Sequence, residues 1–231
     1  MSAVLDQAAG PEAQPAGQLR AGSVFWACIH GEDVRGAFMS SVVAALTSPA
    51  RDLLGSFYDL ASGPVLSIAR NTCAEEFLRS GMEWLWFVDT DTVFGPDVLP
   101  RLLALAHPVK RPVLSAAVPV GGRDPRERMA VTGIPELFWA AYRSDAVGGL
   151  KPLPAREPLG ELERVDAVGT GCVLIHRDVL AAVGPGPFCE LSEGNAVMGE
   201  DLAFCRRADA LGVPIHVAGQ VRVGHAKVVT L

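Results

Sequence analysis

Apolar residues along this chain gather into short, nearly unbroken runs, separated by stretches with helical spacing. Residues 23–30, Ser-Val-Phe-Trp-Ala-Cys-Ile-His, form the first run and have the length of a strand covered on both faces. The run stops at Gly31, and the apolar positions from 34 to 46 predict a helix. A second strand is predicted over 54–60, ending at Ser62-Gly63-Pro64. The next helix covers 66–79 and closes on Ser80-Gly81, a glycine stop. Residues 84–88, Trp-Leu-Trp-Phe-Val, are the cleanest buried strand and run directly into Asp89-Thr90-Asp91-Thr92. Pro96 marks the first turn of a helix ending near 107, and 111–120 holds another strand, broken by Pro119 and Gly121-Gly122.

Between 121 and 163 the periodicity is poor, with one strand inside it at 137–143. A stretch this loose in a compact domain predicts a substrate-covering region or mobile loop. Beyond it, 165–168 and 171–176 read as strands, followed by a short helix from Asp178 and a firm break at Gly184-Pro185-Gly186-Pro187. A helix over 200–212 and short strands at 214–218 and 221–224 lead to His225. Strands alternating with helices predict an α/β domain over 22–231, with a mostly parallel central sheet flanked by helices. Residues 1–21, rich in Ala, Gly, Pro and Gln, read as a flexible leader. Ligands of such sheets sit beyond the carboxyl ends of the strands, where His30, Asp89 and Asp91 fall.

Composition narrows the chemistry. The chain has 231 residues, 49% of them hydrophobic, enough for one large core. Its net charge of −6, with both signs mixed along the chain, argues against a nucleic-acid partner, which calls for a basic face. An acidic protein that holds a diphosphate needs a divalent cation to offset repulsion. Five scattered cysteines without a CxxC pair argue against disulfides or a zinc knuckle and point to the reducing cytoplasm. No apolar run approaches the roughly 20 residues of a membrane span, and the start of the chain lacks the pattern of a secretory signal.

Asp89-Thr90-Asp91 is the strongest chemical feature. Carboxylates two apart at a strand's end can aim at one point, where a hard divalent ion takes oxygen ligands. The same residues also serve as plain turn formers. Two acids here, with Lys110 and Arg111 only later in the chain, repel each other unless compensated, and a bound cation is the simplest compensation. Met198-Gly199-Glu200-Asp201 opens a helix, where acids are favoured by the dipole and by capping. A cleft-facing carboxylate there could serve as a general base, and a capped Asp is expected to have a low pKa. His225 follows a glycine after a short strand; an imidazole suits Mn²⁺ better than Mg²⁺. Arg70-Asn71 could reach a phosphate or a base edge, or form a solvated helix face. Gly169-Thr170-Gly171 allows close backbone approach to a ligand, or makes a turn. It is not the dinucleotide fingerprint, because Leu174 stands where the third glycine belongs.

The order of these motifs resembles the GT-A-type glycosyltransferases, especially the family 2-like bacterial enzymes. The resemblance covers roughly residues 23–227 and rests on Ile68-Ala-Arg-Asn71, Trp86-Phe-Val-Asp-Thr-Asp91, Gly169-Thr-Gly-Cys-Val-Leu-Ile175, Gly199-Glu-Asp-Leu202 and Val223-Gly-His225. It implies a GT-A-like single nucleotide-binding domain and a nucleotide-diphosphate-sugar donor. It also implies a divalent metal, Mn²⁺ or Mg²⁺, at Asp91 with His225 and Asp89. Asp89, Asp91 and Arg70 are implied on the donor side, where His30 is expected as well from its place at the end of the first strand, and Asp201 with Glu200 on the catalytic side. Ile29-His-Gly31 departs from the proline-containing turn of the family. The chain ends soon after His225 without a QxxRW-type segment, so transfer of one sugar to a discrete acceptor hydroxyl is expected, with inversion. Retention, or a non-catalytic nucleotide-sugar-binding module on the same fold, are the alternatives. A sugar-phosphate nucleotidyltransferase would need a basic, glycine-rich loop after the first strand. The segment Gly31-Glu-Asp-Val-Arg-Gly36 supplies acids there.

Overall fold

The computed structural model describes residues 19–121, 136–146, 148–193 and 196–226. Most of the expected leader, residues 1–18, lies outside the described residues, as does 122–135 of the loose region. A seven-stranded sheet forms the frame. It is built from β1 (Val24–His30), β2 (Leu54–Ala61), β3 (Trp84–Val88), β5 (Val113–Ala117), β9 (Glu163–Val165), β11 (Cys172–His176) and β14 (Ile215–Arg222). Their order across the sheet is β2-β1-β3-β11-β5-β14-β9.

Both faces of this sheet are covered, which explains the unbroken apolar runs. Phe25, Ala27 and Ile29 of β1 pack with Phe77 of α2 (Leu66–Ser80), Leu180 of α4 (Arg177–Val183) and Phe204 of α5 (Glu200–Ala210). Val24, Trp26 and Cys28 face the other way, toward Phe38 of α1 (Gly36–Leu46) and Leu102 of α3 (Val98–Leu105). The stop of α2 is the expected glycine: Gly81 sits at φ 75°, a left-handed conformation that costs other residues a Cβ clash.

The sheet is mixed in direction. β2, β1, β3, β5 and β14 run one way, while β11 and β9 run against their neighbours. The reversal of β11 has a topological cause. After β5 the chain leaves the carboxyl end of the sheet and builds a second, four-stranded sheet there from β6 (Pro119–Gly121), β7 (Leu137–Ser144), β8 (Leu150–Pro154) and β10 (Ala167–Val168). It re-enters from that same end through Gly169-Thr170-Gly171, so β11 must run downward between β3 and β5.

The region expected to be loose therefore contains a sheet. β8 went unread because Pro152 and Pro154 break its pattern, and both are tolerated on an edge strand paired only with β7. A small hairpin, β12 (Leu191–Glu193) with β13 (Ala196–Met198), precedes α5. The two strands expected at 214–218 and 221–224 are one strand, β14, with an irregularity between Ala218 and Arg222. At that irregularity Gly219 lies against a neighbouring loop so closely that a Cβ would stand 2.2 Å from the Gly160 carbonyl oxygen. The bend sends the chain to β15 (Gly224–His225), which pairs antiparallel with β4 (Thr92–Val93).

Candidate active site

The site forms where three returning segments meet at the carboxyl end of β3. The turn after β3 is tied down by its backbone: Asp89 N–H donates to the Gly171 carbonyl at 3.0 Å, and Thr92 N–H to the Asp89 carbonyl at 2.9 Å. The buried Thr92 hydroxyl also donates to the Gly171 carbonyl, at 2.9 Å. Asp89 and Asp91 are therefore held on a braced turn, and the loop that braces it is the Gly169–Gly171 segment.

The ladder between β4 and β15 sets His225 opposite Thr92, and Ala226 N–H donates to the Asp91 carbonyl at 2.7 Å. The imidazole bridges two acceptors: Nδ1 lies 2.8 Å from the Pro119 carbonyl oxygen and Nε2 lies 2.9 Å from Asp91 Oδ2. A carbonyl only accepts, so Nδ1 carries the hydrogen, and Nε2 of the neutral ring presents its lone pair toward the carboxylate. Two lone pairs at that separation require a cation between or beside them, a proton or a metal. Neighbouring ligands of an octahedral cation at about 2.1 Å lie about 3.0 Å apart. The separation is that of a hydrogen bond from a protonated ring and equally that of two adjacent ligands of a cation, with Nδ1 held from behind by the Pro119 carbonyl.

Asp201 approaches from the other side of the glycine loop. A Cβ on Gly169 would lie 3.6 Å from Asp201 Oδ2, and one on Gly171 would lie 3.7 Å from Asp89 Oδ2. The loop thus runs close to both carboxylates, at distances that small residues allow. A cavity of about 120 Å³ collects Asp89, Asp91, Asp201 and His225, with Tyr142 on its wall. A larger open cleft of about 400 Å³ adjoins it through Asp91 and is lined further by Thr90, Asp33, Val34 and Arg35.

The pKa expected for Asp201 is corrected. Its Oδ1 accepts the Leu202 N–H at 2.7 Å, which favours the charged form, yet its pKa is raised. Burial is the largest cause, with the Glu200 and Asp89 charges adding to it and the backbone hydrogen bond and Arg70 opposing it. The raised value makes the carboxylate a stronger base than an ordinary aspartate. The same enclosure, with Asp201 close by, pushes the Tyr142 phenol up.

Several expected roles are not matched by placement. Arg70 is 2% exposed, and its guanidinium donates to Asp89 Oδ1 at 3.0 Å and to Glu200 Oε1 at 3.1 Å. It reaches no open surface where a phosphate or base could lie. Glu200, expected on the catalytic side, gives its carboxylate to Arg70 and does not line the cavity that holds Asp201. The expected metal set of Asp91, His225 and Asp89 is not gathered: among the described residues no three His, Cys, Asp or Glu side chains are grouped to hold a metal. Arg70 takes one Asp89 oxygen and supplies the positive charge expected to be missing from the turn. His30 turns to Asp59 of β2, Nε2 to Oδ1 at 3.4 Å, and lines neither cavity.

Two residues of the site were not singled out from the sequence. Tyr142 lies on a strand that was predicted but given no chemistry. Arg35 is the basic residue of the segment after β1, beside the acids Glu32 and Asp33.

No protein-family model matches the chain, and no curated protein is similar to it in sequence. Solved structures are similar in fold. A structure of GalNAc-T7 with UDP, GalNAc and Mn²⁺ aligns over 90% of this chain at TM-score 0.59 and 13% identity. The fold is GT-A-like. This chain spans 44% of the length of that one. The structure of A197 from STIV aligns over 90% of this chain and 97% of its own, at TM-score 0.52 and 14% identity. Identities this low establish the fold alone. Among the described residues no helix is long and apolar enough to cross a membrane.

Proposed function

We propose that this protein is a metal-dependent glycosyltransferase that moves one sugar from a nucleotide-diphosphate sugar to a discrete acceptor hydroxyl, with inversion. The observation that carries the reading is the convergence of Asp91, His225 and Asp201 on one cavity, from turns and strand ends far apart in sequence. The similar fold of a protein bound to UDP, GalNAc and Mn²⁺ supports the donor class.

Asp91 and His225 would hold the divalent cation, and the imidazole favours Mn²⁺ over Mg²⁺. When bound, the cation offsets the charge that grows on the departing nucleoside diphosphate. The donor's diphosphate lies along the open cleft beside Asp91, where the Thr90 hydroxyl and the Arg35 side chain are available to it. The sugar enters the smaller cavity. Asp201 takes the proton of the acceptor hydroxyl, whose oxygen attacks the anomeric carbon as the bond to the phosphate oxygen breaks. Its raised pKa supports that role. Tyr142, on the same wall, offers a flat surface against which an acceptor ring can lie. Five free thiols, four of them buried, support a reducing cytoplasm as the working compartment.

The test is a panel of UDP- and GDP-sugars, each with and without Mn²⁺, read by melting shift and by donor hydrolysis. Metal-dependent stabilisation together with slow hydrolysis is expected for one donor class. Stabilisation without turnover for any donor or acceptor would identify a binding module, and no stabilisation would overturn the reading. The anomeric proton of the product, read by NMR, decides between inversion and retention.

A further inference from the structure

Arg70 is a buried cation that the mechanism above does not use. It sits on α2, and its guanidinium lies 5.2 Å over the ring of Phe87, sealed between the two carboxylates of Asp89 and Glu200. Burial works against its charge, but Asp89 and then Glu200 outweigh that effect and hold its pKa above the ordinary value. An arginine enclosed in this way is a fixed part of the frame.

The placement of its two partners gives the frame a purpose. Asp89 begins the turn that carries Asp91, and Glu200 is the first residue of α5, immediately before Asp201. Successive residues of a helix point about 100° apart, so fixing the Glu200 carboxylate fixes the direction in which Asp201 leaves the helix. The Asp89 oxygen not bonded to Arg70 lies beside Gly171 of the glycine loop, whose Gly169 lies beside Asp201. One planar fork thus sets the spacing between the donor-side turn and the base-side helix. Gly199, the residue that caps the helix, has no side chain that could do this instead.

We infer that Arg70 is a positioning residue that ties the Asp89–Asp91 turn to the first turn of the helix carrying Asp201, and that it makes no contact with the donor's phosphates. The inference rests on the glycosyltransferase reading only for its kinetic arm. A lysine at this position keeps the charge but cannot fork to two carboxylates. A glutamine at 200 keeps the shape and loses the charge.

The experiment compares Arg70→Lys, Glu200→Gln and the double variant by donor-saturated turnover, by calorimetric affinity for the donor with Mn²⁺, and by melting. Turnover is expected to fall about 100-fold in each single variant, the cost of misplacing reacting groups by about an ångström. The double variant should be no slower than the worse single one, and turnover should fall by a larger factor than donor affinity in every variant. An Arg70→Lys protein with donor affinity weakened about tenfold or more and turnover unchanged overturns the inference, because Arg70 would then be a donor ligand. Multiplying losses in the double variant also overturn it. If the wild-type protein transfers no sugar, the proposed function fails, and melting alone decides the clamp. Non-additive losses of stability across the cycle support it, and additive losses refute it.

Discussion

Replacing Asp201 by Asn should make the protein less active and more stable, with a pH signature that separates the two effects. Asn keeps an oxygen that can accept the Leu202 N–H, a bond of 2.7 Å, and changes little in volume. What it removes is a carboxylate whose charge is opposed chiefly by burial and then by the charges of Glu200 and Asp89. The sign follows from linkage. The folded-state pKa lies above the ordinary 3.8, so the folded protein holds this proton more tightly than the unfolded chain does. The contribution to stability is complete below 3.8 and is lost as pH rises through the raised value. At neutral pH the ionised side chain is a liability that Asn removes. Neutralising a strained functional group commonly yields about 0.5–2 kcal/mol. For a chain of this length 1 kcal/mol moves the melting temperature by about 2–4 °C. Activity should fall about 10²–10⁴-fold, the usual worth of a general base, equal to about 2.7–5.4 kcal/mol of barrier. The assay is melting of both proteins without metal from pH 3.5 to 7.5, together with turnover of the preferred donor. The gap in melting temperature should open with rising pH and close near the acid end. A variant that is less stable than wild type at neutral pH, or that keeps more than about a tenth of the turnover, would refute the reasoning.

Three further outcomes follow from the structure. Asp91→Ala and His225→Ala should each abolish the Mn²⁺-dependent part of donor stabilisation, which in wild type reaches about 2.7 kcal/mol at a hundred times the dissociation constant; an unchanged melting shift in either variant counts against the pair as ligands. Gly219→Ala should lower the urea midpoint by an amount worth about 1–3 kcal/mol, because its Cβ would meet the Gly160 carbonyl oxygen at 2.2 Å and Leu159 Cβ at 2.5 Å; an unchanged midpoint would mean that this contact yields freely. His176 is buried and its pKa is depressed by desolvation below the ordinary 6.5, so its share of stability is present above that pH and is lost as pH falls. His176→Asn, which keeps an acceptor for the Asp178 N–H, should therefore flatten the fall in melting temperature between pH 7 and 5, and equal slopes would refute the assignment.

The amino-acid sequence by itself determined six of the seven strands of the main sheet and most of the helices; β9 was hidden, because the expected strand 165–168 is split between β9 of the main sheet and β10 of the second one. The signals of the others are local: runs such as Trp84–Val88 are apolar throughout because helices cover both faces, and α2 ends at Gly81 because the next backbone angle is positive. It also marked Asp89, Asp91, Asp201 and His225, since each follows a strand or opens a helix at the end of the sheet where ligands bind. Directions and partners were beyond it. The reversal of β11 depends on where the chain re-enters the sheet, and β8 is held by pairing with β7 against the preference of its prolines. Arg70 meets Glu200 across 130 residues, and His225 meets Asp91 across 134. Only the closed tertiary structure decided that the arginine expected to meet a phosphate is instead enclosed by two carboxylates. The reason is physical: a side chain's charge is fixed by its type, but what neutralises that charge depends on which distant segments packing brings within 3 or 4 Å.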